Sequence, residues 1–287
     1  MNDLERPVRI GRIDYTNVWP LFYYFPLAAF GDELEIVQQL PTGLNRAMAA
    51  GDIDIGPISS FAYGEHFDDY ILFPHMSVSA LGRVHSLLLF HREPLARLGG
   101  KQIALTTASA TTVVLLKIIL QKFYGVRPVY TPMEPNLDEM MKEADAALLI
   151  GDHAIRASWA DQGYLVTDLG AEWHKHTGEW MSFAVCTMRR ALVESRPELV
   201  KRIYDAFLES KTKSLSDLTG LVQEACAKIG GSSRYWTDYF SNLCYEFGPR
   251  QWAGLKRYYD YAAELGFLDR EVTLHIWNDT TTVQVTE

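Results

Sequence analysis

The sequence predicts a two-lobed α/β protein with a mostly parallel sheet in each lobe and a helical C-terminal segment. Three observations predict it. Short apolar runs alternate with helix-period segments from Val8 to Met188. That rhythm runs twice, restarting near Ser86. From Ala191 to about Leu268 the pattern is mostly helical.

The elements follow in order. Val8 to Ile13 reads as a strand, and Leu34 to Gln38 as another. A helix opens at Pro41, with Thr42 a plausible N-cap because its hydroxyl can accept from a free backbone N–H. Ile53 to Gly56 is the next strand, and Ser59 and Ser60 cap a short helix after it. This βαβαβ order predicts parallel pairing. In the second round, Ser86 to His91, Gln102 to Leu105 and Ala146 to Ile150 are strands. Val113 to Phe123 is an apolar helix, and Gly151 leads a helix through Trp159. Phe183 to Met188 is the last strong strand, and Pro197 suits the first position of a tail helix.

Two such blocks before a helical tail suggest a chain that crosses to a second lobe and returns. The crossings fall near Ser86 to His91 and Phe183 to Met188. They divide the chain into 1–89 plus 185–287 and 90–184, with a ligand cleft between and the two crossing strands as a hinge. One large doubly wound domain would give nearly the same periodicity.

Composition narrows the function classes. The 287 residues are 48% hydrophobic and 22% charged, an ordinary globular balance. With 27 Lys and Arg against 36 Asp and Glu, the net charge is −9. An acidic chain without a basic stripe does not suit nucleic acid as its main partner. No apolar run approaches membrane-spanning length, and Met1 to Pro7 carries no secretory signal pattern. Cys186, Cys226 and Cys244 are odd in number and far apart, which suits reduced thiols in a cytoplasmic protein.

Hydroxyl-rich loops after strands carry the chemical signal: Thr42-Gly43, Ser59-Ser60 and Thr106 to Thr112. A helix N-terminus offers free N–H groups and a positive dipole end, which suit a carboxylate or phosphate. Each loop alone reads equally as an ordinary cap. Together they point to a cleft for a small anion, lined by Ser59, Ser60, Thr107, Ser109, Ala110, Thr111 and Thr112. Tyr15-Thr16-Asn17 follows the first strand, where Asn17 either caps a helix or faces ligand. Ser86 lies at the first crossing, with His85 alternating to the other side. Gly151 and Asp152 end a buried strand, and Asp152 is either a helix N-cap or a cleft acid. No metal-ligand spacing is present, nor any GxSxG, GxGxxG or P-loop pattern, so no metal and no cofactor is expected. The tail aromatics Tyr235, Trp236, Tyr239, Phe240, Tyr258 and Tyr259 suit either a helical core or a homodimer patch, with core favoured.

Several segments resemble the MqnA family of menaquinone biosynthesis. They are Arg9 to Leu21, Pro41 to Gly64, Ser77 to Phe90, Ala104 to Leu120, Ala144 to Ile155 and Asp168 to Val185. The resemblance implies a type II periplasmic-binding-protein-like fold and chorismate dehydratase activity in the futalosine pathway. It implies roles for Asn17 and Ser86 in the reaction. The sister MqnD family begins with a Ser-Pro-Cys-Pro-Asn-Asp-like loop where this chain has Asp14-Tyr15-Thr16-Asn17, which favours the dehydratase. The chain departs from the family pattern at His176 and at Thr177 to Phe183, where Glu179 adds a carboxylate near a site for an anionic substrate. A non-catalytic module binding a small carboxylate is the other class. For the dehydratase, the general base is Asp152, His153 or a carboxylate of the substrate.

Overall fold

The computed structural model describes residues 6–160, 162–278 and 284–286. The stretch Met1–Glu5, read above for a leader, lies outside them. No helix among the described residues is long and apolar enough to cross a membrane.

Twelve strands form two sheets among the described residues. β1 (Val8–Ile13), β2 (Leu34–Gln39), β3 (Ile55–Ser59), β4 (Tyr70–Ala80), β10 (Met181–Arg189), β11 (Leu274–Ile276) and β12 (Gln284–Thr286) make the first. Its order is β12-β11-β4-β10-β3-β1-β2. β5 (Leu87–His91), β6 (Gln102–Thr106), β7 (Val129–Met133), β8 (Ala146–Ile150) and β9 (Leu165–Asp168) make the second, in the order β7-β6-β8-β5-β9. The parallel pairs include β1 with β2 and β3, and β6 with β7 and β8. β5 and β10 pair antiparallel with both of their neighbours. Each sheet is therefore mixed where the sequence suggested a mostly parallel one. A strand that enters from the other lobe need not follow the right-handed βαβ crossover that enforces parallel pairing.

β5 lies wholly in the second sheet and β10 wholly in the first, so the joins are the segments 81–86 and 178–180. β5 also shows why its run is apolar throughout. Leu87 and Leu89 pack into the large core, while Leu88 and Phe90 pack on the opposite face with Met140 and Met141.

The helices are α1 (Trp19–Phe22), α2 (Pro41–Ala50), α3 (Ser60–Glu65), α4 (Thr111–Ile118), α5 (Leu137–Glu143), α6 (Gly151–Ser158) and α7 (Leu169–Thr177). The tail holds α8 (Arg190–Ser195), α9 (Pro197–Ser216), α10 (Thr219–Lys228), α11 (Ser233–Asn242) and α12 (Pro249–Glu264). Thr42 is not the cap of α2: Leu40 is, with Pro41 in the first turn. Of the tail aromatics, Trp236, Tyr239, Phe240, Tyr258 and Tyr259 are buried and Tyr235 is half-buried, so they build core.

Candidate functional site between the sheets

Elements of the two sheets touch at the leading loop of β1 with α6 and at the starts of α3 and α4, and Ser86 lies beside the first of these contacts. The first segment follows β1. Thr16 is fully buried and donates from Oγ1 to Asp152 Oδ1 at 2.6 Å. Its backbone N–H also reaches both carboxylate oxygens at 3.3 Å. Asp152 is the second residue of α6, not its N-cap, which is Ile150. This pair ties the first sheet's leading loop to the second sheet's α6. Burial pushes the Asp152 carboxyl above its usual range, and the Thr16 hydrogen bonds oppose that push.

Asn17 lies in a turn of 3-10 helix and caps nothing. Its Oδ1 is buried without a hydrogen-bond partner, and so is the Tyr15 hydroxyl. Unpartnered buried polar atoms are uncommon and call for an explanation, such as a ligand.

Gly151 makes the close approach possible. Its φ is +57°, and a Cβ there would stand 2.8 Å from Tyr15 Cγ. Its N–H donates to Ser86 O at 2.7 Å. Gly151→Ala is therefore expected to lose about 1–3 kcal/mol through backbone strain and a clash with the fixed base of the Tyr15 ring. Chemical denaturation measures this, and an unchanged midpoint would show that the loop yields freely.

The second segment carries Ser86, which is buried just before β5. Tyr239 on α11 donates to Ser86 Oγ at 3.1 Å. The Asp168 carboxylate holds the two preceding residues, accepting from Val84 N and, at 2.7 Å, from His85 N. Asp168 is also the N-cap of α7, accepting from Gly170 N and Ala171 N. His85 has a φ of +63°, unusual for a non-glycine residue. Burial lowers its pKa, with Arg83 acting in the same direction.

The third segment brings the starts of α3 and α4 together. Ser59 caps α3, accepting from Ala62 N, and also accepts from Asn45 Nδ2. Ser60 donates to Ser182 O at 2.7 Å. The N–H of Phe61 donates across to Thr111 Oγ1 at 3.0 Å. Ser109 donates to Thr112 Oγ1 and accepts from Thr112 N. Ala110 is half-buried beside them. Thr107 stands apart, exposed and bonded to the Glu134 carboxylate. Glu179 pairs with Arg257 at 3.4 Å. His153 is half-buried edge-on to Tyr15, and burial lowers its pKa.

The tail supplies groups that sequence reasoning missed. Besides Tyr239, Tyr258 donates to Thr111 O and Tyr259 to Ser60 O. Their only sequence signal was an aromatic helix period, which reads as core. Among the described residues, no group of three or more His, Cys, Asp or Glu side chains is placed to hold a metal ion.

The family of menaquinone-biosynthesis proteins matches this chain over residues 8–264. The chain belongs to that family. Within it, a chorismate dehydratase of Thermus thermophilus is 32% identical, covering 88% of this chain and 94% of its own length. A 1,4-dihydroxy-6-naphtoate synthase of the same organism is 29% identical, covering 68% of this chain and 72% of its own. Among solved structures, the periplasmic aliphatic sulphonate binding protein of Escherichia coli superposes with a TM-score of 0.66. It is 15% identical, covering 93% of this chain and 90% of that one, and shows the fold alone. This menaquinone-biosynthesis protein thus has a periplasmic-binding-protein-like architecture, with the polar cluster just described at the junction of its sheets.

Proposed function

We propose that the protein is a chorismate dehydratase, a hydro-lyase that converts chorismate to 3-[(1-carboxyvinyl)oxy]benzoate and water. The observation that carries this reading is the 32% identity to a chorismate dehydratase along 94% of that protein. The geometry supports it. The family-motif residues Asn17 and Ser86 lie in segments linked by the Thr16–Asp152, Ser86–Gly151 and Ser86–Tyr239 contacts.

The reaction removes one ring proton and the neighbouring hydroxyl, and the ring becomes aromatic. The protein has to hold two carboxylates in a productive geometry and help a poor leaving group depart. In this reading the carboxylates are received at the start of α3 (Ser59, Ser60) and the start of α4 (Ser109, Ala110, Thr111, Thr112). Asn17 orients the ring substituents, and Ser86 hydrogen-bonds to the departing hydroxyl and keeps its own proton. An amide and a neutral hydroxyl are too weakly basic to take the ring proton. Asp152 has both oxygens turned to Thr16 and acts as a positioning residue. In this reading the ring proton passes to a carboxylate of the substrate itself, and that carboxyl group hands it on to the departing hydroxide, which leaves as water.

Asp152→Asn is expected to keep substantial turnover, because Oδ1 of the amide still accepts from Thr16. Loss of turnover with intact chorismate binding would instead make Asp152 the base. The same variant tests linkage. Burial raises the folded-state pKa of Asp152, so the folded protein holds that proton more tightly than the unfolded chain does. Its contribution to stability is full below the unfolded value and is lost as pH rises through the folded one. The stability of Asp152→Asn relative to the parent should therefore increase with pH across that titration, read by urea unfolding from acid to neutral pH.

Purified protein is mixed with chorismate, with and without a chelator, and the product is followed by ultraviolet absorbance and mass. The expected product is lighter than chorismate by one water, at equal rates with and without chelator. Turnover of cyclic dehypoxanthinylfutalosine instead would assign the naphthoate synthase reaction. Thermal stabilisation by chorismate without turnover would assign a binding module. A cytoplasmic setting belongs to the same reading, and the free thiols Cys186, Cys226 and Cys244 suit it.

A further inference from the structure

We propose that Tyr239 is a positioning residue for the reaction: it occupies a lone pair of Ser86 Oγ and so directs the Ser86 proton to the substrate. The inference rests on the dehydratase reading. A serine hydroxyl has one proton to give and two lone pairs to receive with. Tyr239 Oη donates to Ser86 Oγ at 3.1 Å. The protein acceptor for the Ser86 proton is Val84 O at 3.4 Å, two residues back on the same chain. That contact is at the weak limit of hydrogen bonding, so a ligand oxygen at ordinary distance displaces it.

Tyr239 is built to hold this role. It is buried on α11, whose start is capped by Ser232 accepting from Tyr235 N. Its ring packs against Trp236 and Phe240 at 5.5 Å and lies parallel to Tyr235. Burial drives its phenol pKa upward, Asp152 adds to the rise, and the hydrogen-bonding side chains of Ser86 and Thr16 oppose it, so the phenol keeps its proton at working pH. Ser86 cannot turn its proton to Tyr239 while Tyr239 donates to it. The far end of the chain thereby fixes one polar atom at the first join between the sheets.

The test is Tyr239→Phe, which keeps the ring and removes one oxygen. The expected result is a kcat lower by about tenfold or more, a KM within about twofold, and a near-parental melting temperature. In Ser86→Ala the effect of Tyr239→Phe should vanish, so the double variant is no slower than Ser86→Ala alone. A parental kcat in Tyr239→Phe, or a multiplicative loss in the double variant, overturns the proposal. A protein inert toward chorismate refutes the dehydratase reading, and the Tyr239 hydroxyl proton is then followed by nuclear magnetic resonance. Its signal should be slow to exchange and should move in Ser86→Ala. An unmoved signal overturns the Tyr239–Ser86 linkage, whatever the substrate or the folding of Tyr239→Phe.

Discussion

Ser86→Ala is expected to lower turnover of chorismate by about 10²–10³-fold, the usual cost of removing one donor from a developing negative charge, and Asn17→Ala by about 10²-fold through lost orientation of the ring substituents. Their stabilities should diverge. Ser86→Ala removes the Ser86 acceptor from the buried Tyr239 hydroxyl and leaves it only Thr16 nearby, which costs on the order of 1 kcal/mol. Asn17→Ala instead removes a buried Oδ1 that has no partner in the protein. It should unfold at the same denaturant concentration as the parent or a slightly higher one, while losing activity. That outcome would mark a residue kept for the substrate rather than for the fold. Initial rates by ultraviolet absorbance and urea midpoints on the same samples decide the matter. Parental rates in both variants would remove the two residues from the mechanism.

Asp168→Ala should be the most destabilising single change at the site. One buried carboxylate accepts from four backbone N–H groups: Val84, His85, Gly170 and Ala171. Removing it deletes the cap of α7 and strands two N–H groups in the segment before Ser86. A loss of about 3–5 kcal/mol follows from the cap and the unsatisfied donors together. Asp168→Asn separates the two functions. An amide oxygen facing Gly170 and Ala171 keeps the cap, but its NH2 then faces the His85 N–H. That variant should regain much of the stability and still be slow, because His85, at positive φ, is no longer held beside Ser86. Equal rates in Asp168→Asn and the parent would show that the 83–86 segment holds itself.

The strands with short apolar runs were legible: β5 and β8 are buried at every residue, β6 and β10 at all but one, and β1, β2 and β3 showed as shorter or alternating runs. β4 was not. Pro74 interrupts it, and His75 lies at positive φ. Ser77 and Ser79 turn inward to bond each other and Ser182, a polar pattern that does not read as a buried strand. β7 and β9 are largely exposed edges with no apolar face to detect. Asn17 and Ser86 were singled out by the family resemblance, since the residues alone read equally as a helix cap and a lone buried serine. The Thr16–Asp152 bond spans 136 residues and the Tyr239–Ser86 bond 153, and no local pattern encodes such partnerships. Asp168 was not singled out, because a single carboxylate serving two loops is visible only once they are folded together.

The place of β10 between β3 and β4 has a consequence for how the chain is made. β3 and β4 are close in sequence, yet the strand that joins them is emitted far later, as the 122-residue separation of Ser60 from its acceptor on Ser182 shows. A nascent chain on the ribosome therefore carries two half-finished sheet edges while the whole second sheet is synthesised. Pairings of such long range form slowly, and open edges invite association with other chains meanwhile. Co-translational assembly should thus complete the second sheet first. Variants that slow the arrival of β10 should reduce the yield of soluble protein more than its final stability.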